Sequence, residues 1–325
     1  MIRSKIAATG AGIPEQVITN DDLAKIVDTS DEWISQRTGI RERHISGGED
    51  LSFYAAKSAN QILSRAGVAP EEVELIIVAT VTADYGTPSA ACMVQKEIGA
   101  VHAVAFDVTA ACSGFLYAVS VADKFIRCGV YKNALVIGGE ILSKIVDWTD
   151  RSTCVLFGDG AAGVLLERTE TSEGVLVEEL GAQGDMYEVL TEGRVPPANA
   201  FNQVEPLKGQ DYVYMDGREV FKFATKKIVS SVSRVLEQAG ITADEVKYFV
   251  PHQANARIVE VAAKKLKVPY ERFYMNIQHY GNTSAASIPI ALNEMFEKGL
   301  LEKGDKIILC GFGGGLTWGT VLIQW

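Results

Sequence analysis

A cysteine, a histidine and an asparagine, each in a short run of small or turn-forming residues, are the side chains of this 325-residue chain best suited to chemistry. Cys112 lies in Ala110-Ala111-Cys112-Ser113-Gly114-Phe115, His252 in Pro251-His252-Gln253-Ala254-Asn255, and Asn282 in His279-Tyr280-Gly281-Asn282-Thr283-Ser284. A thiol at a helix N-terminus meets unpaired N–H groups and the positive end of the helix dipole, which favour the nucleophilic thiolate. An imidazole and a carboxamide can donate N–H to an oxygen that becomes negative during a reaction. Singly, each residue has a plainer reading. Free cysteine is often a small buried hydrophobe, a histidine near a strand end is usually structural, and an asparagine before a helix is usually a cap or turn residue. Their joint placement is what points to Cys/His/Asn catalysis.

That placement depends on the elements between them. Residues 101–108 read as a buried strand, and the spacing of apolar residues from Cys112 to about Cys128 predicts a helix opening at Ser/Gly. Apolar runs of strand and helix type alternate along most of the chain, the signature of α/β architecture. The pattern repeats. The strand-like run from Leu75 recurs 172 positions later from Lys247, and the run from Ala134 recurs at the same distance from Lys306. Phe157-Gly158-Asp159-Gly160 is echoed by Phe312-Gly313-Gly314-Gly315. The shorter offset of that pair is attributed to extra residues at 140–156. A long-period repeat signals a duplicated βαβ-containing unit, with halves expected at 1–172 and 173–325. Cys112 and Asn282, 170 positions apart, would then face each other across a pseudo-twofold axis, Asn282 following a strand at 273–277. His252 would leave the first strand of the second half through Pro251. All three would lie at carboxyl ends of strands, where open α/β sheets place their ligands.

Composition narrows the class. Hydrophobic residues make up 47% and charged residues 22%, ordinary for a globular enzyme. No run approaches the roughly 20 apolar residues of a membrane span, and residues 1–10 lack the basic-then-apolar pattern of a secretory leader. Five cysteines without CxxC spacing argue for reduced thiols in the cytoplasm and against a disulfide framework or a zinc site. A formal charge of −10 argues against nonspecific nucleic-acid binding.

Further motifs complete the pattern: Thr29-Ser30-Asp31-Glu32-Trp33-Ile34, Arg37-Thr38-Gly39-Ile40-Arg41-Glu42-Arg43, Leu156-Phe157-Gly158-Asp159-Gly160, and Gly311-Phe312-Gly313-Gly314-Gly315-Leu316-Thr317-Trp318-Gly319. With the three motifs above, and in this order over essentially the whole chain, they resemble the β-ketoacyl-acyl-carrier-protein synthase III family. These are the initiating condensing enzymes of bacterial fatty-acid synthesis, in the thiolase-like superfamily. The resemblance implies a thiolase-like α/β fold of duplicated βαβ halves layered α-β-α-β-α. It implies a decarboxylative Claisen condensation of an acyl-CoA primer with malonyl-acyl carrier protein (malonyl-ACP) through an acyl-Cys112 intermediate, and no metal or other cofactor. Asn282, where another branch of condensing enzymes has a second histidine, favours the synthase III branch.

By the same resemblance, the N–H groups of Cys112 and Gly314 would form an oxyanion hole, and His252 and Asn282 would hold the enolate oxygen. Trp33, Arg37 and Arg151 would take the adenine end of CoA, with Gly217 and Asn255 along the pantetheine channel. Ser152, where the family often has glycine, departs from that pattern. Gln253, Arg257, Lys264 and Lys265 would meet the acidic acyl carrier protein; Arg257 and Lys264 share a helix face, a pattern that charge alone would assign to ordinary solvent exposure. A homodimer is implied, with segment 83–91 reaching the partner's pocket and Thr87 standing where the family often has a pocket-closing phenylalanine. His44, His102 and His279 are expected in surface or structural roles. Two other readings remain open from sequence: a related acyltransferase with a different extender carrier, and a noncatalytic acyl-CoA sensor with an inert Cys112. A nucleotide site on Gly313-Gly314-Gly315 lacks the lysine or helix context such a site needs.

Overall fold

The computed structural model describes residues 2–197, 199–202 and 211–325. Two twisted sheets organise the chain. The first is ordered Arg3–Gly12, Gly160–Thr169, Asn133–Glu140, Leu75–Ala79, Val104–Val108. Its last three strands are parallel and its first two antiparallel. The second is ordered Tyr248–Pro251, Lys306–Gly313, Thr317–Gln324, Gly174–Ala182, with one parallel pair at its start. All five residues of Leu75–Ala79 are buried, as expected of a parallel strand covered on both faces.

Helices fill three layers around these sheets. Gly114–Arg127 and Ser287–Glu297 lie between them, and their apolar residues (Phe115, Leu116, Val119, Ile288, Leu292) share one core with Ile77 of the first sheet and Leu309 of the second. Leu51–Ala66 and Ala90–Ile98 cover the outer face of the first sheet. Gly217–Ala239 and Ala256–Leu266 cover the outer face of the second. The result is the α-β-α-β-α layering expected from sequence. Polar capping fixes the outer helices. The Asp84 carboxylate accepts from the N–H groups of Leu51 and Ser52, and Asp107 from those of Ala90 and Ala91.

The repeat is visible in the elements, at a spacing of 173 residues. It relates strand Asn133–Glu140 to Lys306–Gly313, the 3₁₀ turn Ala111–Ser113 to Ser284–Ala286, and helix Gly114–Arg127 to Ser287–Glu297. Two expectations are corrected. Cys112 and Asn282 are not counterparts: Cys112 is the middle residue of its turn, whereas Asn282 lies two residues before the matching one. Residues 273–277 form no strand. Phe273 makes a single bridge to Phe249, and Ile277 begins a one-turn helix. The run there has the polar Asn276, whose carboxamide is drawn to Glu294, so it does not continue as a buried strand.

Candidate active site

Strand Val104–Val108 delivers the chain to the turn Ala111–Ser113, and helix Gly114–Arg127 starts only after it. Cys112 is therefore not in the first turn of the α-helix, as the spacing suggested, but in a tighter turn ahead of it. Ala111 takes a left-handed φ of 45°, a conformation that non-glycine residues adopt at a cost. The Ser113 hydroxyl donates to Ala110 C=O at 2.9 Å and lies 2.6 Å from Thr317 Oγ1, tying the turn to the glycine run. A Cβ on Gly313 would stand 2.6 Å from the Cys112 nitrogen, so only glycine permits this approach. The N–H groups of Cys112 and Gly314 have no acceptor among the described residues. Burial pushes the Cys112 thiol up to about 12, outweighing the nearby Ser284 hydroxyl. Burial of the charged form thus opposes the thiolate that the turn's N–H groups favour.

His252 leaves strand Tyr248–Pro251 with its backbone N–H on Cys310 C=O at 2.7 Å. Its ring packs edge-on against Phe312, and its Nδ1 lies 2.7 Å from the Ser287 hydroxyl. Burial pulls its pKa down to about 3, so the imidazole is neutral. Asn282 is held by its backbone: its N–H donates to Leu156 C=O and its C=O accepts from Gly158 N–H. Its Oδ1 accepts from Ser284 N–H at 2.9 Å. The carboxamide nitrogen is thereby turned the other way, with no partner among the described residues.

Cys112, His252 and Asn282 line one cavity of about 970 Å³, counting its open mouth, with mostly apolar walls that include Leu142, Phe157 and Leu190. Four further residues went unrecognised in the sequence. Glu140, fully buried, accepts from the hydroxyls of Thr80, Thr82 and Ser284 and from the N–H groups of Val81 and Thr82. Burial raises its pKa to about 7 against the pull of those donors. Asp159 accepts from Ser46 N–H, Ser143 N–H and the Ser143 hydroxyl, anchoring the segment that holds Asn282. Ser287 holds His252. Glu192 lines the cavity, its carboxyl raised to about 7, first by burial and then by the Glu140 charge. A carboxylate closing the otherwise buried strand Asn133–Glu140 was the one signal available for Glu140.

Trp33, Arg37 and Arg151 do not line the cavity; Arg37 and Arg151 each stack on the Trp33 ring, 4.6 and 4.9 Å from its centroid. Trp33 packs on a small core with Ile34 and Phe157. Asn255 and Gly217 line the cavity. Asn255 caps helix Ala256–Leu266 through Arg257 N–H and donates to Arg37 C=O. Arg257, Lys264 and Lys265 are exposed on that helix and form no ion pair among the described residues. Gln253 is corrected: it is 1% exposed, and its carboxamide is spent on Pro251 C=O, Tyr274 C=O and Asn276 N–H, so no surface partner can reach it. Thr87 is exposed and does not line this chain's own cavity. His44 stacks on Tyr280, His279 pairs with Glu42, and His102 is exposed; none lines the cavity.

Two family models match the chain. One described as 3-oxoacyl-[acyl-carrier-protein (ACP)] synthase III covers residues 106–184, and its C-terminal counterpart covers 236–325. The β-ketoacyl-[acyl-carrier-protein] synthase III of Clostridium acetobutylicum is 51% identical over 99% of this chain and 98% of that protein. That of Clostridium novyi is 52% identical over the full length of both. The crystal structure of 3-oxoacyl-[acyl-carrier-protein] synthase III from Aquifex aeolicus superposes with a TM-score of 0.92 at 48% identity, over 99% of this chain and 100% of that one.

Proposed function

Given that this chain belongs to the 3-oxoacyl-[acyl-carrier-protein] synthase III family, condensing acyltransferases that initiate fatty-acid synthesis, we propose the following division of labour among its residues. The Cys112 sulfur attacks the thioester carbonyl of an acyl-CoA primer. The tetrahedral oxyanion takes the N–H groups of Cys112 and Gly314, and collapse expels CoA, with the thiol proton passing to the departing sulfur. Malonyl-ACP then loses CO2. The resulting enolate oxygen accepts from His252 Nε2–H and the Asn282 carboxamide, each donor worth roughly 3–4 kcal/mol in the transition state. The enolate carbon attacks the acyl-Cys112 carbonyl, and the same oxyanion pocket serves again as collapse forms 3-oxoacyl-ACP and expels Cys112 as a thiolate, which takes a proton from solvent water to return to the thiol. These steps call on no metal or redox cofactor.

One observation carries this reading. In His252 and Asn282 one polar side-chain atom is tied down (Nδ1 and Oδ1) while the other nitrogen has no partner among the described residues, and the N–H groups of Cys112 and Gly314 are unpaired there too. Preorganised, unpaired donors in a water-poor pocket are what stabilises developing negative charge. The test is mass spectrometry of the protein after acyl-CoA, then after malonyl-ACP. The expected result is a single acyl adduct on Cys112 that disappears as 3-oxoacyl-ACP forms; an adduct elsewhere, or one that malonyl-ACP does not discharge, would overturn it.

The Trp33 stack with Arg37 and Arg151 supports binding of a purine and its phosphates there, with pantetheine passing Gly217 and Asn255. Arg257, Lys264 and Lys265, exposed and without an ion pair among the described residues on the helix that follows His252, support docking of the acidic carrier protein. A homodimer is supported by strand Val104–Val108. It ends the first sheet, Val104 is exposed, and the exposed Val101, Phe53 and Tyr85 add apolar surface elsewhere on this half. In that dimer segment 83–91 would reach the partner's pocket. The five free cysteines are in keeping with a cytoplasmic setting, and no helix among the described residues is long and apolar enough to cross a membrane.

A further inference from the structure

We infer that Ser287 is a positioning residue that fixes the proton of His252 on Nε2, and so makes His252 a donor. The inference rests on the role proposed for His252 and deepens it. Ser287 opens helix Ser287–Glu297, is 2% exposed, and places its hydroxyl 2.7 Å from His252 Nδ1. That hydroxyl has no other partner among the described residues. The neutral ring carries one proton, and two arrangements are open to the pair. If the proton were on Nδ1, it would donate to Ser287, and the serine's own proton would be buried without an acceptor. If the serine donates to Nδ1, every polar atom of the pair is satisfied and the proton sits on Nε2, where the ring borders the cavity. Buried donors left unmade are expensive, so the second arrangement holds. Which nitrogen of a histidine is protonated follows from the bond the other makes.

The chemistry of the partner matters. A carboxylate at this position would accept from Nδ1–H, leaving Nε2 a bare lone pair that repels an enolate oxygen. A hydroxyl with no other acceptor can only satisfy itself by donating. The repeat sharpens the point: the residue matching Ser287 in the first half is Gly114, which has no side chain and abuts Ala79. The serine is thus specific to the half that carries the histidine.

The chain has four histidines, so nitrogen-15 NMR of the imidazoles can be assigned by loss of the His252 signals in His252→Gln. The expected wild-type spectrum has a protonated Nε2 and an unprotonated, hydrogen-bonded Nδ1. In Ser287→Ala the two tautomers mix, and condensation of acetyl-Cys112 with malonyl-ACP falls about ten-fold, what one neutral hydrogen bond is worth, while acetylation of Cys112 by acetyl-CoA changes less than three-fold. Ser287→Thr, which keeps the hydroxyl, restores both the spectrum and the ratio of half-reactions. Ser287→Asp moves the proton to Nδ1 and lowers condensation below the alanine variant. A wild-type spectrum with the proton on Nδ1 overturns the inference, as does an unchanged spectrum and half-reaction ratio in Ser287→Ala. Should the alanine variant fail to fold, the wild-type spectrum decides the matter. A His252→Ala enzyme that still condenses at the wild-type rate would instead overturn the proposed role of His252, which the tautomer measurement does not touch.

Discussion

The same corner is built twice, and the two copies are furnished differently. In each half a strand ends against the other half's 3₁₀ turn, the turn opens on a left-handed residue (Ala111 at φ 45°, Ser284 at φ 49°), and a central helix follows. At the strand end, the first half has Glu140 and the second has Gly313. Glu140 accepts from the Ser284 hydroxyl and from four donors of residues 80–82, so the second-half turn is tied to the first sheet through its opening serine. Gly313 offers bare backbone to Cys112, and the Cys112 N–H has no acceptor among the described residues. In the proposed mechanism the second-half corner is support, while the first-half corner keeps a donor for the substrate oxygen. The repeat supplies the scaffold; under the proposed mechanism, a few differing positions within it separate nucleophile from donors.

The comparison makes predictions of graded size. Cys112→Ser should abolish acyl transfer, by of order 10⁴-fold or more; a normal acyl-enzyme mass in that variant would break the assignment of the nucleophile to the first-half turn. On the opposite corner, His252→Ala and Asn282→Ala should each lower condensation about 10²–10³-fold while Cys112 still acylates within about ten-fold. Equal losses in both half-reactions, measured separately, would dissolve the division between the corners.

Glu140→Gln probes the supporting corner. All five groups around the carboxylate donate, and an amide nitrogen cannot accept, so unpaired buried donors should cost about 2–4 kcal/mol in denaturant unfolding. The pH dependence has a definite sign. The folded-state pKa, about 7, lies above the ordinary 4.5, so the folded protein holds an extra proton between those values. Glu140 therefore imposes no penalty below about pH 4.5, a growing one up to about 7, and a constant one above, at most about 3 kcal/mol. The difference between wild type and Glu140→Gln should narrow as pH rises through that window; a widening gap would contradict it. The smallest effect concerns Thr87. If the smaller side chain leaves room in the partner's pocket, Thr87→Phe should lower kcat/KM for hexanoyl-CoA relative to acetyl-CoA by several-fold, since each buried methylene is worth about 0.8 kcal/mol. An unchanged primer profile would remove Thr87 from the pocket.

Much of this was legible in the chain. The apolar runs at 75–80 and 134–139 fall within one residue of strands Leu75–Ala79 and Asn133–Glu140, because a doubly covered parallel strand leaves a continuous hydrophobic signal. The three motifs with chemical potential do line one cavity. What escaped depended on partners distant in sequence. The Cys112 turn is held by Thr317 and Gly313, and nothing local separates such a 3₁₀ turn from the first turn of a helix. Gln253 sits beside a surface helix in sequence, yet Tyr274 and Asn276 draw it inward. Ser287 looks like any helix-opening serine until His252, from another strand, arrives beside it.

The approach of Gly313 to the Cys112 nitrogen has a consequence for how this enzyme can change over time. Any side chain at 313 would collide with the backbone of the Cys112 turn at 2.6 Å, so that position is closed to substitution however strong the selection. The apolar walls at Leu142 and Leu190 are formed by side chains and can drift by a methylene at modest cost. Lineages can therefore alter which primer they accept while the chemical centre stays fixed. An inhibitor gripping the backbone N–H groups there would meet a target with little room to escape, whereas one relying on the walls would not.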